Sequence, residues 1–220
     1  MLSLISFLEV RNLAYIRLLA VCMCIAGVAV LGDIFLQSCQ NLHLRALTDS
    51  CTHFGIAVFS WMSVELNCRQ QNVCTKKCLF ESIFCGFLSS AVDLDHFICA
   101  ASFKLKAAVS LSSRPFLHCT TIPIIVLLVL HMSSRIFFKS ERLKTLLRDL
   151  GWIQAIALVS HHLRDGHRRG IWICPFGSIK YPYVVYIPFT LLVCFTVAKA
   201  RQILDRNLNK TLKIPSCFDA

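Results

Sequence analysis

Charge is scarce in this chain. Asp, Glu, Lys and Arg together make up 16% of its 220 residues, too little to clothe an ordinary soluble domain of this size. Apolar residues reach 56%, so the shortage of charge points to a membrane environment. Acidic residues are scarcest, 12 against 23 Lys and Arg. The basic residues lie between apolar runs instead of in one patch, as in loops that flank membrane spans, and this speaks against nucleic acid as a partner. The chain has no internal repeat and no low-complexity segment, so residues 1–220 read as one membrane-embedded domain. It also lacks a G-x-S-x-G elbow and a phosphate-cradling glycine loop, which removes the common serine-hydrolase and nucleotide-binding readings. Disulfide patterning is missing as well. The 13 cysteines are odd in number, and Cys22, Cys24, Cys85, Cys99 and Cys194 sit inside apolar runs, as expected of small buried side chains. Cys68, Cys74 and Cys78 fit no standard zinc spacing.

What the sequence does contain is a series of uncharged stretches: Leu18 to Gly32, Ser50 to Val64, Ser82 to Val92, Pro115 to Ser134, Leu150 to Leu163 and Tyr181 to Ala198. They predict an all-α, multi-pass helical bundle with about six spans, near 14–37, 47–66, 79–102, 115–134, 146–163 and 181–199. Only the fourth and sixth stretches reach the length that hydropathy alone requires. The others need polar ends, as when Arg17 snorkels and the first span takes in Asp33. That first run meets no convincing cleavage site, so it reads as a retained span and not a signal peptide. With alternating helices, one side of the membrane carries 15 Lys and Arg and the other 8, which places both termini in the cytoplasm. No retrieval or anchoring motif names an organelle.

The informative residues are ionisable ones in or beside the spans. Asp49 with His53, Asp93 with His96, and His161 or His162 with Asp165 are spaced so that each pair shares a helical face. Asp95 and His118 accompany them. Under alternating topology all four groups fall at the same face of the membrane, whatever the absolute orientation. Intramembrane ionisable groups are costly and tend to face the interior and pair with one another. Imidazole and carboxylate are also the usual ligands of zinc and similar divalent ions. The bland alternative is that the pairs are hydrogen-bonded helix glue. Arg114, Arg164, Arg168 and Arg169 present guanidiniums that match an anionic group such as a lipid phosphate. They equally suit an interfacial anchor, with Trp172 in the aromatic belt and residues 175–177 as a turn.

The segments LRALTDSCTHFGIAVFSW, AVDLDHF, LKAAVSLSSRPFLHC and SHHLRDGHRRGIWICPFG resemble those of the animal transmembrane protein 267 family, over roughly residues 15–195. More distantly, the D-x-D-H, H and S-H-x-x-x-D pattern is similar to bacterial inner-membrane proteins described as metal-dependent hydrolases, themselves similar to zinc-dependent phospholipase C enzymes. That likeness implies His53, Asp93, His96, His118, His161 and Asp165 as metal ligands, with Asp49, Asp95 and His162 orienting them. The expectation is a membrane-embedded hydrolase using zinc or another divalent metal on an amphiphilic, phosphate-containing substrate, with Arg114 or Arg164 holding the anion. The competing expectation is a non-catalytic scaffold or lipid-binding protein. A transporter ranks third, because the polar groups gather at one level instead of lining a path.

Overall fold

The computed structural model describes residues 2–69 and 75–212. Cys74 lies outside the described residues. The described chain is a membrane helical bundle of α1 (Leu2–Ser38), α2 (Leu42–Arg69), α3 (Thr75–Ala91), α4 (Leu94–Cys99), α5 (Leu105–Val109), α6 (Thr121–Ile136), α7 (Glu141–Arg169) and α8 (Tyr183–Leu212). A two-stranded antiparallel hairpin, β1 (Ile171–Ile173) with β2 (Gly177–Ile179), joins α7 to α8 and pairs Trp172 with Ser178.

The layering follows from where apolar and polar residues fall. α2 packs against α1, α3, α7 and α8, while α7 packs against α2, α3, α6 and α8, so these two helices form the centre. Their neighbours are greasier. By length and composition, the segments Asn12–Ser38, Lys76–Cys99 and Tyr183–Leu204 can each cross a membrane, and Thr121–Ile136 is apolar but shorter. On α1 the side chains of Tyr15, Leu19, Met23 and Leu31 face outward. Lipid is as apolar as a protein core, so the outer helices can expose such residues while the inner pair holds the polar ones.

The inner helices run antiparallel, with their apolar middles in register. Ala57, Trp61 and Val64 of α2 meet Ile153, Ile156 and Ala157 of α7, with Cys85 and Cys194 filling in from α3 and α8. A smaller cluster of Ile25, Ala29, Ile56 and Tyr186 ties α1 to α2 and α8. Close approach of α1 to α2 depends on Gly32, where an added Cβ would collide with the Thr52 side chain.

Two expected spans are corrected. The stretch 79–102 is not one helix: it turns at Val92 and Asp93, where Val92 N–H reaches Ser89 O and Asp95 N–H reaches Val92 O. Residues 115–120 do not open the fourth helix. Pro115 is extended, a single 3-10 turn covers Phe116–His118, and α6 begins at Thr121. The Leu117 N–H is instead taken by the Asp95 carboxylate at 2.8 Å. Before Thr121 the Asp95 carboxylate thus diverts the backbone from the helix that hydropathy alone implies. Cysteine burial is also corrected: Cys85 and Cys194 are buried, but Cys24 and Cys99 are exposed. A small apolar side chain suits a lipid-facing position as well as a core.

Candidate metal centre

Four separate parts of the chain deliver the ionisable side chains to one place. α2 brings Asp49 and His53, the α3–α4 turn brings Asp93, Asp95 and His96, the 3-10 turn brings His118, and the last turns of α7 bring His161, His162 and Asp165. At the middle, four ligand-type atoms converge. His118 Nε2 lies 3.3 Å from His161 Nε2, 3.4 Å from Asp93 Oδ1 and 3.7 Å from Asp165 Oδ2. His161 Nε2 lies 3.6 Å from Asp93 Oδ1 and 3.9 Å from Asp165 Oδ2. Metal–ligand distances near 2.0–2.2 Å give tetrahedral edges of roughly 3.3–3.6 Å, so these separations suit four groups around one divalent ion.

His53 and His96 flank the quartet. His53 Nε2 is 3.4 Å from the other Asp165 oxygen, and its ring stacks on His161 with centroids 3.7 Å apart. His96 Nδ1 is 3.2 Å from Asp95 Oδ1 and 3.8 Å from Asp93 Oδ1. Three overlapping triads have metal-binding spacing: His53, His161 and Asp165; Asp93, His96 and His118; and Asp49, His53 and Asp93. Both ring nitrogens of His53 and the Nδ1 of His161 are buried without a hydrogen bond. Buried polar atoms of that kind normally have a partner, and the donor set therefore fits a cation.

Other groups hold this set in place. Asp95 Oδ2 accepts from Leu117 N–H and sits 3.4 Å from His118 Nδ1, leaving Nε2 to face the quartet. His162 Nε2 donates to the Leu117 carbonyl at 2.9 Å, so it steadies the same turn and is not in the quartet. Behind the turn, Thr120 N–H donates to Trp172 O, which docks the hairpin. Gly170 makes that docking possible: with φ 86° it ends α7, and a Cβ there would come within 3.1 Å of the Ile179 backbone. His118 lies in the loop ahead of α6. Burial lowers its affinity for a proton, yet the Asp93 and Asp95 carboxylates outweigh that and hold its pKa up at about 9. Those two carboxylates thus favour positive charge on the His118 ring.

The two arginines expected to hold an anion are otherwise engaged. Arg164 is fully buried, donating to Asp33 Oδ1 at 2.8 Å and Asp49 Oδ1 at 2.7 Å. Tyr186 Oη completes this network by donating to Asp33 Oδ2 at 3.1 Å. Arg114 Nη1 donates to Gly170 O at 2.9 Å and Ser178 Oγ at 3.2 Å, so it braces the hairpin. Arg168 and Arg169 reach the cluster instead, lining a cavity of about 300 Å³ beside Asp49, Asp93, His96 and Asp165. Sequence reasoning missed the role of Asp33 and Tyr186. A lone carboxylate closing an uncharged run was the available signal for Asp33, whereas nothing marked Tyr186.

No family model and no solved structure matches the chain. Relatives at the sequence level are clear. The chain is 41% identical over 152 residues to transmembrane protein 267 of Bos taurus, covering 69% of this chain and 66% of that one. Identity is again 41% over 152 residues to the Danio rerio protein, covering 69% and 64%. The Xenopus laevis protein is 40% identical over 166 residues, covering 71% and 73%. The match therefore spans slightly under two-thirds of the cattle and zebrafish relatives. With most of its helical bundle matched at this identity, the chain belongs to the transmembrane protein 267 family.

Proposed function

We propose that this membrane protein is a metal-dependent hydrolase whose substrate is amphiphilic and carries a phosphate. The observation that carries the reading is the convergence of His118 Nε2, His161 Nε2, Asp93 Oδ1 and Asp165 Oδ2 within 3.3–3.9 Å of the imidazole nitrogens. These four residues would hold zinc or a similar divalent ion, with His53 and His96 adding donors at its edge. Such an ion supplies a water activated near neutral pH and a Lewis acid for a phosphoryl or acyl oxygen. Asp95 orients His118, and His162 fixes the turn that carries it. Arg168 and Arg169 supply positive charge where an anionic group would lie. The more distant likeness to bacterial hydrolases rests on motif order alone. Basic-loop asymmetry puts the termini on the cytoplasmic side and, with alternating helices, opens the site to the opposite side.

The test is metal content by elemental mass spectrometry, on protein purified in detergent without chelators or a metal-affinity column. Near-stoichiometric metal, lost in His118→Ala and His161→Ala, together with turnover of a phospholipid panel by the wild type, is expected. A folded, stable, metal-free wild type would overturn the reading. A second reading, a non-catalytic scaffold or lipid binder, is favoured by one observation. Arg164 bridges Asp33 of α1 and Asp49 of α2, a use of buried polar groups as helix glue. It predicts that His→Asn changes at His53, His118 and His161 leave function intact.

A further inference from the structure

The cavity beside the cluster is divided by chemistry. Asp49, Asp93, His96, Asp165, Arg168 and Arg169 form one part of its lining. Ala46 and Leu47 of α2, with Phe97, Leu105, Ala108 and Val109 of the α4–α5 segment, form the apolar remainder. Leu94, Ile98 and Phe103 of that segment are exposed, so its outer face suits lipid. We propose that this cavity seats a single-chain amphiphile with a phosphate-type head, received by Arg169 and Arg168, its chain lying along the α4–α5 wall.

Charge and size support this occupant, and the proposal rests on the metal reading above. Three lining carboxylates against two guanidiniums leave one negative charge, which a divalent ion turns into one positive, so a bound metal favours an anion. Arg168 is shared with Asp49 at 3.2 Å and Asp33 at 3.5 Å. Among the described residues Arg169 makes no ion pair, and its guanidinium is available for bidentate contact with phosphate. Arg169 also borders a second cavity of about 10 Å³ lined by His118, His162 and Asp165, enough for one water. It therefore borders both the larger cavity and the small one beside His118. A volume of about 300 Å³ lies at the foot of the roughly 300–1,000 Å³ range of ligand pockets. It takes a head and part of one chain, not two.

The experiment measures binding, not turnover. Full-length protein in nanodiscs, with and without zinc, is titrated calorimetrically with dodecylphosphonate, methylphosphonate, inorganic phosphate and a diacyl phosphatidate, with empty discs as background. The carbon–phosphorus bond keeps the probe intact. Expected are binding of dodecylphosphonate in preference to the other three, tightening by zinc, and weakening by about tenfold or more in Arg169→Gln. Ala108→Trp, or Ala46→Phe from the facing wall, removes the preference for the long chain and keeps methylphosphonate binding and metal content. Metal bound, but affinity indifferent to Arg169→Gln and to both cavity-filling variants, overturns the pocket and leaves the hydrolase reading standing. No metal, with binding that still depends on Arg169 and Ala108, sinks the hydrolase reading and keeps the pocket. Equal binding of inorganic phosphate reassigns the head site to free anion, and equal binding of the phosphatidate overturns the single chain.

Discussion

The central helices α2 and α7 bury polar groups at both ends, and the two ends are built differently. At one end lie His53, His161 and Asp165 with their neighbours; at the other, Glu65 of α2 and Asp149 of α7 pair with Arg201 of α8. Arg201 Nη1 bonds Glu65, and Nη2 donates to Asp149 Oδ1 at 2.9 Å. Lys77 of α3 reaches Asp149 at 3.1 Å and Glu81 at 3.3 Å. Trp61 Nε1 donates to Glu81 at 3.3 Å, with the Arg201 guanidinium 5.3 Å from the Trp61 ring. Twelve residues separate His53 from Glu65, about 18 Å along the helix. At the Arg201 end every carboxylate meets a permanent cation. At the histidine end Asp93 and Asp165 face imidazoles, and buried nitrogens go without hydrogen bonds. One end is a lock, a closed set of ion pairs; the other gathers the imidazole and carboxylate donors on which the metal proposal rests.

Breaking the lock should have the largest effect on folding and none on metal. Arg201→Met removes the guanidinium that Glu65 and Asp149 share, Lys77 still reaching Asp149, and is expected to cost about 3–5 kcal/mol, read by unfolding in detergent, with metal content per folded protein unchanged. A loss of metal in that variant would mean that the two ends are not independent. Removing metal from the wild type with a chelator should act only through the other end. Stabilisation of about 2.7 kcal/mol is expected at metal concentrations a hundredfold above Kd, and His161→Asn should abolish this chelator sensitivity while Arg201→Met keeps it. Asp95→Asn retains the shape of the residue behind His118 but weakens its pull on Nδ1, so metal affinity should fall about 10–100-fold by competition with a fluorescent chelator. The smallest change is expected at the rim of the lock. Glu81→Gln removes a pair whose Lys77 side chain is 42% exposed, so the loss should stay near or below about 1 kcal/mol, with metal binding intact.

The same contrast explains what could be read in advance. Carboxylate and imidazole at helical spacing stood out in AVDLDHF and SHHLRD because such residues are rare in apolar runs, and the bundle brings all four groups together. The lock was invisible for the opposite reason. Glu65, Lys77, Glu81, Asp149 and Arg201 sit near span ends, where charges ordinarily meet water and headgroups, and only packing turns them inward. Arg164 was misjudged in the same way: next to HRR it looked like a ligand for an outside anion, but Asp33 and Asp49, 131 and 115 residues away in sequence, hold it. Arg169, one of four candidates by sequence, becomes the available one because its neighbours' guanidiniums have internal partners.

Composition and hydropathy by themselves determined that this chain is a membrane-embedded helical bundle, because the transfer cost of backbone and charge into lipid leaves few alternatives. Parity of the helices determined that the His and Asp groups share one face. Tertiary structure alone decided that α2 and α7 are interior while α1, α3, α6 and α8 face lipid, since apolar residues suit both places equally. It alone broke the helices at Asp93 and before Thr121, in the second case because the Asp95 carboxylate takes the Leu117 N–H. It also decided which cations are spent on internal carboxylates, because that depends on contacts between residues far apart in the chain.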